Sequence, residues 1–76
     1  MFDRIVCDPE ILSGKPTVKG TRISVEIILE WLASGASPEE IVSEYDHLSI
    51  EDVQQALRYA AAALHDNLVI QTKVAS

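Results

Sequence analysis

The sequence predicts a mainly α fold: a three-helix bundle containing a helix-turn-helix-like unit, with a small β element before it and a possible strand after it. Three observations predict this. Ser37 and Ser49 each stand three residues before an acid, Glu40 and Asp52, the pattern of a capped helix start. From Val25 onward apolar residues recur at spacings of three and four. The first 23 residues have no such period, and they hold two of the chain's three glycines and two of its three prolines.

Taken in order, "RIVC" is a short β-branched apolar run and reads as a strand. "DPEILSGKP" is turn-rich. "TVKGTRI" reads as two short extended pieces joined by a tight turn at Gly20, where glycine supplies the positive φ. Ser24 is the expected N-cap of the first helix. Val25, Ile28, Leu29 and Leu32 form its buried stripe, widened by Ile27 and Trp31, and Gly35 is its terminator. Ser37, Pro38 and Glu40 start a second helix of about two turns. Ser49 and Asp52 start the third, with Leu48 stapled onto Val53. Its core stripe is expected to be Val53, Ala56, Leu57, Ala60 and Leu64, with Glu51, Gln54, Gln55 and Arg58 facing outward. It is expected to fray near 65–67. "LVIQTKV" then reads as a strand or extended tail that pairs with "RIVC", within the chain or across a dimer. The expected division is residues 1–23 as a turn-rich head, 24–66 as the bundle and 67–76 as the tail, all in one domain.

The 76-residue chain carries a net charge of −6 with pI near 4.6. Residues 1–23 hold Arg4, Lys15, Lys19 and Arg22 against Asp3, Asp8 and Glu10, a net +1. Residues 24–76 hold Arg58 and Lys73 against nine acids, a net −7. Such a body opposes non-specific attraction to phosphate and to anionic membranes. Any contact with double-stranded DNA must therefore use chosen side chains. The candidates are Lys15, Lys19 and Arg22 on the head, with Gln54, Gln55 and Arg58 on the third helix, since Gln reads adenine and Arg reads guanine in a major groove. The bland alternative is a solvated helix face and solvated charges. Arg22 has a competing partner in Glu26. A chain with so thin a core is expected to associate, and a homodimer is the simplest form.

Catalytic chemistry is not expected. His47 and His65 have no Cys or third His at ligand spacing, so no metal or cofactor is expected. Cys7 is the sole cysteine and lies in an apolar run beside Asp8, the wrong setting for an activated thiolate. Gly14-Lys15 lacks the rest of a phosphate-binding loop. One cysteine, a start without a signal-peptide pattern and no long apolar run fit the cytoplasm and no membrane span.

"DPEILSGKPTVKGTRISV", "ASGASPEEI", "EYDHLSIEDVQQAL" and "RYA" together resemble a small bacterial family, domain of unknown function 433. The resemblance covers roughly residues 5–60. Gly14-Lys15-Pro16, Gly20-Thr21-Arg22-Ile23, Gly35, Tyr45, Leu48 and Glu51-Asp52 fall in the family's order and spacing. Ser13 stands where a second glycine is usual, and Asp46 where a proline often follows the tyrosine. The resemblance implies a homeodomain-like helix-turn-helix with a small N-terminal β element. It also implies an antitoxin-like role: binding a small nuclease-like toxin resembling the PIN domain, and binding DNA at the chain's own promoter. Tyr59 and the apolar tail residues Leu68, Val69 and Ile70 are the candidates for the partner contact. The alternative is a protein-interaction module with no nucleic-acid role.

Overall fold

The computed structural model describes the backbone of residues 2–75 and the side chains of residues 2–65. The chain runs β1 (Ile5–Val6), a 3-10 turn (Leu12–Gly14), β2 (Thr17–Val18), α1 (Val25–Ala33), α2 (Pro38–Glu44) and α3 (Ile50–Ala75). It is thus three helices with a two-stranded antiparallel sheet at the N-terminus.

The head follows from its turn residues. Ile5 pairs with Val18 and Val6 with Thr17. Gly20, at φ 81°, lets the chain reverse after β2. The Val18 amide then donates to Ile23 O at 2.9 Å, and Thr17 bridges Ser24. The expected pair of extended pieces is therefore present. The partner of "RIVC" is this piece, not the C-terminal tail.

Each helix starts where its hydroxyl cap stands. Ser24 Oγ accepts from Ile27 N–H at 3.0 Å. Ser37 and Glu40 form a reciprocal capping box at 3.1 and 2.7 Å with Pro38 at the first helical position. Ser49 and Asp52 repeat the exchange at 3.2 and 3.0 Å. α1 stops at Gly35, φ 104°, where Gly35 N–H donates to Leu32 O and Ala36 N–H to Trp31 O. Those two bonds satisfy carbonyls that the helix end would leave orphaned.

The core lies where all elements meet: Ile5, Val18, Val25, Ile28, Ile41, Leu48, Val53 and Ala56, with Thr17 fully buried among them. Leu48 and Val53 are both in it, as the staple at the start of α3 requires. Trp31 and Tyr45, half-buried, lie edge-to-face at 6.1 Å, and the indole N–H donates to the Tyr45 hydroxyl at 3.2 Å.

Two expectations about α3 change. Its backbone is helical to Ala75, so residues 67–75 continue the helix instead of forming a strand. No Gly or Pro interrupts residues 50–75, and adding a turn to an existing helix costs far less than starting one. At 26 residues α3 spans about 39 Å. It is nearly as long as the molecule, which measures 41 × 30 × 21 Å. The second change is the buried stripe. Val53 and Ala56 are buried and Ala60 is half-buried, but Leu57 and Leu64 are 40% and 51% exposed. α1 has only nine residues, so it covers one narrow strip of α3. Leu57 stands one position beyond Ala56, about 100° around the helix, and falls outside that strip.

Candidate functional site

The six residues expected to meet DNA are not held alike. Lys15 Nζ pairs with Glu26 at 3.1 Å, both side chains well exposed. Glu26 is thus taken by Lys15, not by Arg22. Lys19, Arg22, Gln54 and Arg58 are exposed. Gln55 requires a correction. It is 8% exposed, its Oε1 accepts from the Arg4 backbone N–H at 2.6 Å, and its Nε2 donates to Asp3 Oδ1 at 3.0 Å. Both ends of its amide are spent inside the chain, so it cannot read a base edge. The reason is position: Asp52, Gln55, Ala56 and Tyr59 lie at i, i+3, i+4 and i+7, and β1 with its flanking residues packs along that strip.

Arg4 completes the same strip. Its guanidinium reaches Asp52 Oδ1 at 3.1 Å and Glu51 Oε1 at 2.8 Å. The hydrogen bond to Asp52, with the charge of Glu51, raises the Arg4 pKa above its ordinary value, so it stays charged. The hydrogen bond from Gln55 holds the Asp3 carboxyl below its ordinary value. Asp52 therefore caps α3 and clamps the N-terminal segment together. Arg4, Lys19 and His47 share a recess with Asp3 and Asp52. The two acids offset the positive charges there, which weakens the recess as a phosphate site.

Tyr59, the expected partner anchor, is half-buried against its own chain. Its ring meets Phe2 edge-to-face at 5.5 Å, and its hydroxyl lies 3.8 Å from the exposed Cys7 Sγ. The Cys7 thiol, then burial, pushes the Tyr59 hydroxyl above its ordinary value. The side chains of Leu68, Val69 and Ile70 lie outside the described residues.

What the sequence reading missed is an apolar face. Leu57, Ala61, Ala62, Ala63 and Leu64 are all exposed on α3. Beside them, Pro16, Val25, Leu29, Ala60, Ala63 and Leu64 line a groove of about 300 Å³ between α1 and α3. Contiguous apolar surface of this kind marks interaction sites in small domains. The signal was present in "ALRYAAAAL", where apolar residues occupy too much of the helix girth for one short neighbour to cover. Among the described residues no three or more His, Cys, Asp or Glu gather as a metal site, and no helix is long and apolar enough to cross a membrane.

The chain is thus a capped three-helix bundle with a two-stranded head and an exposed apolar face on α3. The chain belongs to the family described as "Protein of unknown function (DUF433)", whose model matches residues 5–60. It is similar to the crystal structure of a DUF433 member protein from Anabaena variabilis, with a TM-score of 0.72 and 26% identity over 96% of this chain and 69% of that one. It is 34% identical over 58 residues to uncharacterized protein y4eO of Sinorhizobium fredii, covering 76% of this chain and 26% of that protein. Uncharacterized protein Rv2308 of Mycobacterium tuberculosis matches at 34% over 58 residues, 76% of this chain and 24% of that protein. The chain thus spans about a quarter of the length of these two relatives.

Proposed function

We propose that this chain is the protein-binding, antitoxin-like member of a pair, and that it holds a small nuclease-like toxin of the PIN type. The observation that carries the reading is the exposed apolar face of α3, with Leu57 and Leu64 uncovered in a chain of net charge −6. Two exposed leucines one heptad apart suit a protein surface and not a DNA groove, whose contacts are mostly to phosphates. The acidic body favours encounter with a basic nuclease surface. The antitoxin part of the reading leans on the resemblance of the family's members to antitoxins. It is tested by growth: a PIN-type nuclease gene, if one lies beside this one, is expected to arrest growth when induced alone, and co-induction of this chain to relieve the arrest. Arrest that persists at equal expression would end the antitoxin reading.

A second activity, binding DNA at its own promoter, has one specific support. Lys19, Arg22, Gln54 and Arg58 are exposed and make no ion pair among the described residues. Promoter binding that falls steeply with salt, and falls further in Lys19→Ala and Arg22→Ala, would establish it. Binding that is absent at low salt would leave a pure protein-interaction module.

A further inference from the structure

Trp31 is the chain's sole tryptophan, and it stands among acids. Ile27, Glu30, Trp31 and Ser34 fall at i, i+3, i+4 and i+7 and line one recess on α1. Trp31 and Ser34 also line the adjoining recess of about 490 Å³, with the turn after α1 and with Glu40, Ser43 and Glu44 of α2. The hydrogen bond from the indole N–H to the Tyr45 hydroxyl fixes the ring there. Leu29, which lines the groove toward α3, is two positions from Trp31, about 200° around the helix, so these recesses lie on the other side of α1.

No Lys or Arg occurs from Ser24 to Leu57, against eight acids. Arg4 answers Glu51 and Asp52, and Lys15 answers Glu26. Glu30, Glu40 and Glu44 make no ion pair among the described residues. Glu40 at least caps α2 through Ser37. Glu30 and Glu44 each stand in the last turn of a helix, where a negative charge opposes the dipole and no basic residue offsets it. Glu40 and Glu44 are also like charges at i, i+4, which costs α2 stability. The isolated fold gains nothing from Glu30 and Glu44, yet both stand beside one aromatic ring.

We infer that this face of α1 and α2 docks an arginine side chain of a basic partner protein. The inference stands apart from the antitoxin reading and from the apolar face of α3. A guanidinium is planar, so it stacks on the Trp31 indole while its fork of N–H donors reaches Glu44 or Glu30. It offsets the like-charge repulsion on α2 and the mismatch at both helix ends. DNA is a poor occupant, since its phosphates meet only acids here. A second copy of this chain is a poor one too, since it brings a net charge of −6 against another −6.

With one tryptophan in the chain, its fluorescence reports on this site directly. The probe is a short peptide of alternating arginine and glycine, beside twins with citrulline or lysine at every arginine. At low salt the arginine peptide changes the Trp31 emission, and backbone-amide NMR shifts cluster at Trp31, Ser34, Gly35 and Glu44. The citrulline twin keeps the shape without the charge and binds at least about tenfold more weakly. The lysine twin binds about threefold more weakly, because an ammonium is a point charge without the planar fork. Glu44→Gln and Glu30→Gln each weaken the arginine peptide about twofold to fivefold and flatten its salt dependence. Neither variant melts lower than the wild type, because each acid stands at the unfavourable end of its helix. Glu39→Gln is the control: it removes the same charge outside both recesses and changes affinity by less than about twofold. An equal loss in Glu39→Gln overturns the inference, since the attraction is then the general charge of the chain. So does equal binding of the arginine peptide and either twin, or shifts that map elsewhere. Self-association of the free chain that Glu44→Gln abolishes also overturns it, since the occupant is then a second copy. Arginine-peptide binding at Trp31 with growth arrest that persists removes the antitoxin reading and leaves the docking site. Growth rescue without such binding does the reverse.

Discussion

Replacing Gln55 by leucine separates a structural amide from a base-reading one. The substitution keeps an unbranched-at-Cβ side chain of similar bulk on α3 but removes both hydrogen bonds that the amide makes. The Arg4 backbone N–H, bonded at 2.6 Å, loses its acceptor in a partly buried place. Leaving such a donor unpaired costs about 1–3 kcal/mol. The Asp3 carboxylate can turn to water, so nothing is added for it. For a domain of this size, about 1 kcal/mol moves Tm by about 4–8 °C, so a loss near 2 kcal/mol lowers it by about 8–16 °C. Thermal and urea unfolding followed by circular dichroism measure this, with an unchanged m value. A pH series adds a signature. Asp3 is depressed below its ordinary 3.8 in the fold, first by the hydrogen bond from Gln55. Its contribution is therefore complete above that value and is lost as pH falls through the lower folded value. Gln55→Leu removes most of that acid-side loss, so the variant's stability falls less steeply below about pH 4 than the wild type's. The exposed Gln54→Leu is the control and stays within about 0.5 kcal/mol. A Gln55→Leu protein as stable as the control would refute the account of the N-terminal clamp.

Three further outcomes are expected. Ile28→Ala, at a fully buried position, costs about 2–5 kcal/mol, a large part of the roughly 4–11 kcal/mol typical of a domain this size, and shows as a lowered urea midpoint. Ser13→Gly stabilises by about 0.5–1 kcal/mol, because Ser13 sits at φ 56° where a side chain is strained and glycine is not; a lower Tm would contradict this. Lys15→Ala changes unfolding free energy by less than about 0.5 kcal/mol, since its pair with Glu26 is exposed on both sides, and the small effect fades in 0.5 M salt, used here as about three times physiological ionic strength.

What could be read from the sequence was local. The caps at Ser24, Ser37 and Ser49, the stop at Gly35 and the turn at Gly20 each depend on residues within four positions, and each stands in the structure. Ser13 occupies a left-handed conformation at φ 56°, where glycine would be unstrained. What could not be read was long-range. Arg4 meets Asp52 across 48 positions and Asp3 meets Gln55 across 52, and no period in the sequence reports such pairs. The sequence points Gln55 outward because polar residues usually face water, whereas its amide serves the Arg4 backbone and the Asp3 side chain inside. Leu57 and Leu64 looked buried because they are leucines, and the shortness of α1 leaves them uncovered. The tail looked like a strand because Val and Ile favour strands, but an uninterrupted helix behind it carries its backbone on.

The central claim, that this is a protein-binding domain first, is met most directly by a pull-down of the tagged chain from its native cells, with and without nuclease digestion, read by mass spectrometry. The account predicts one small basic nuclease-like protein recovered in stoichiometric amount, unaffected by digestion and lost in Leu64→Gln. Recovery of only the chain itself with DNA that digestion removes would contradict it.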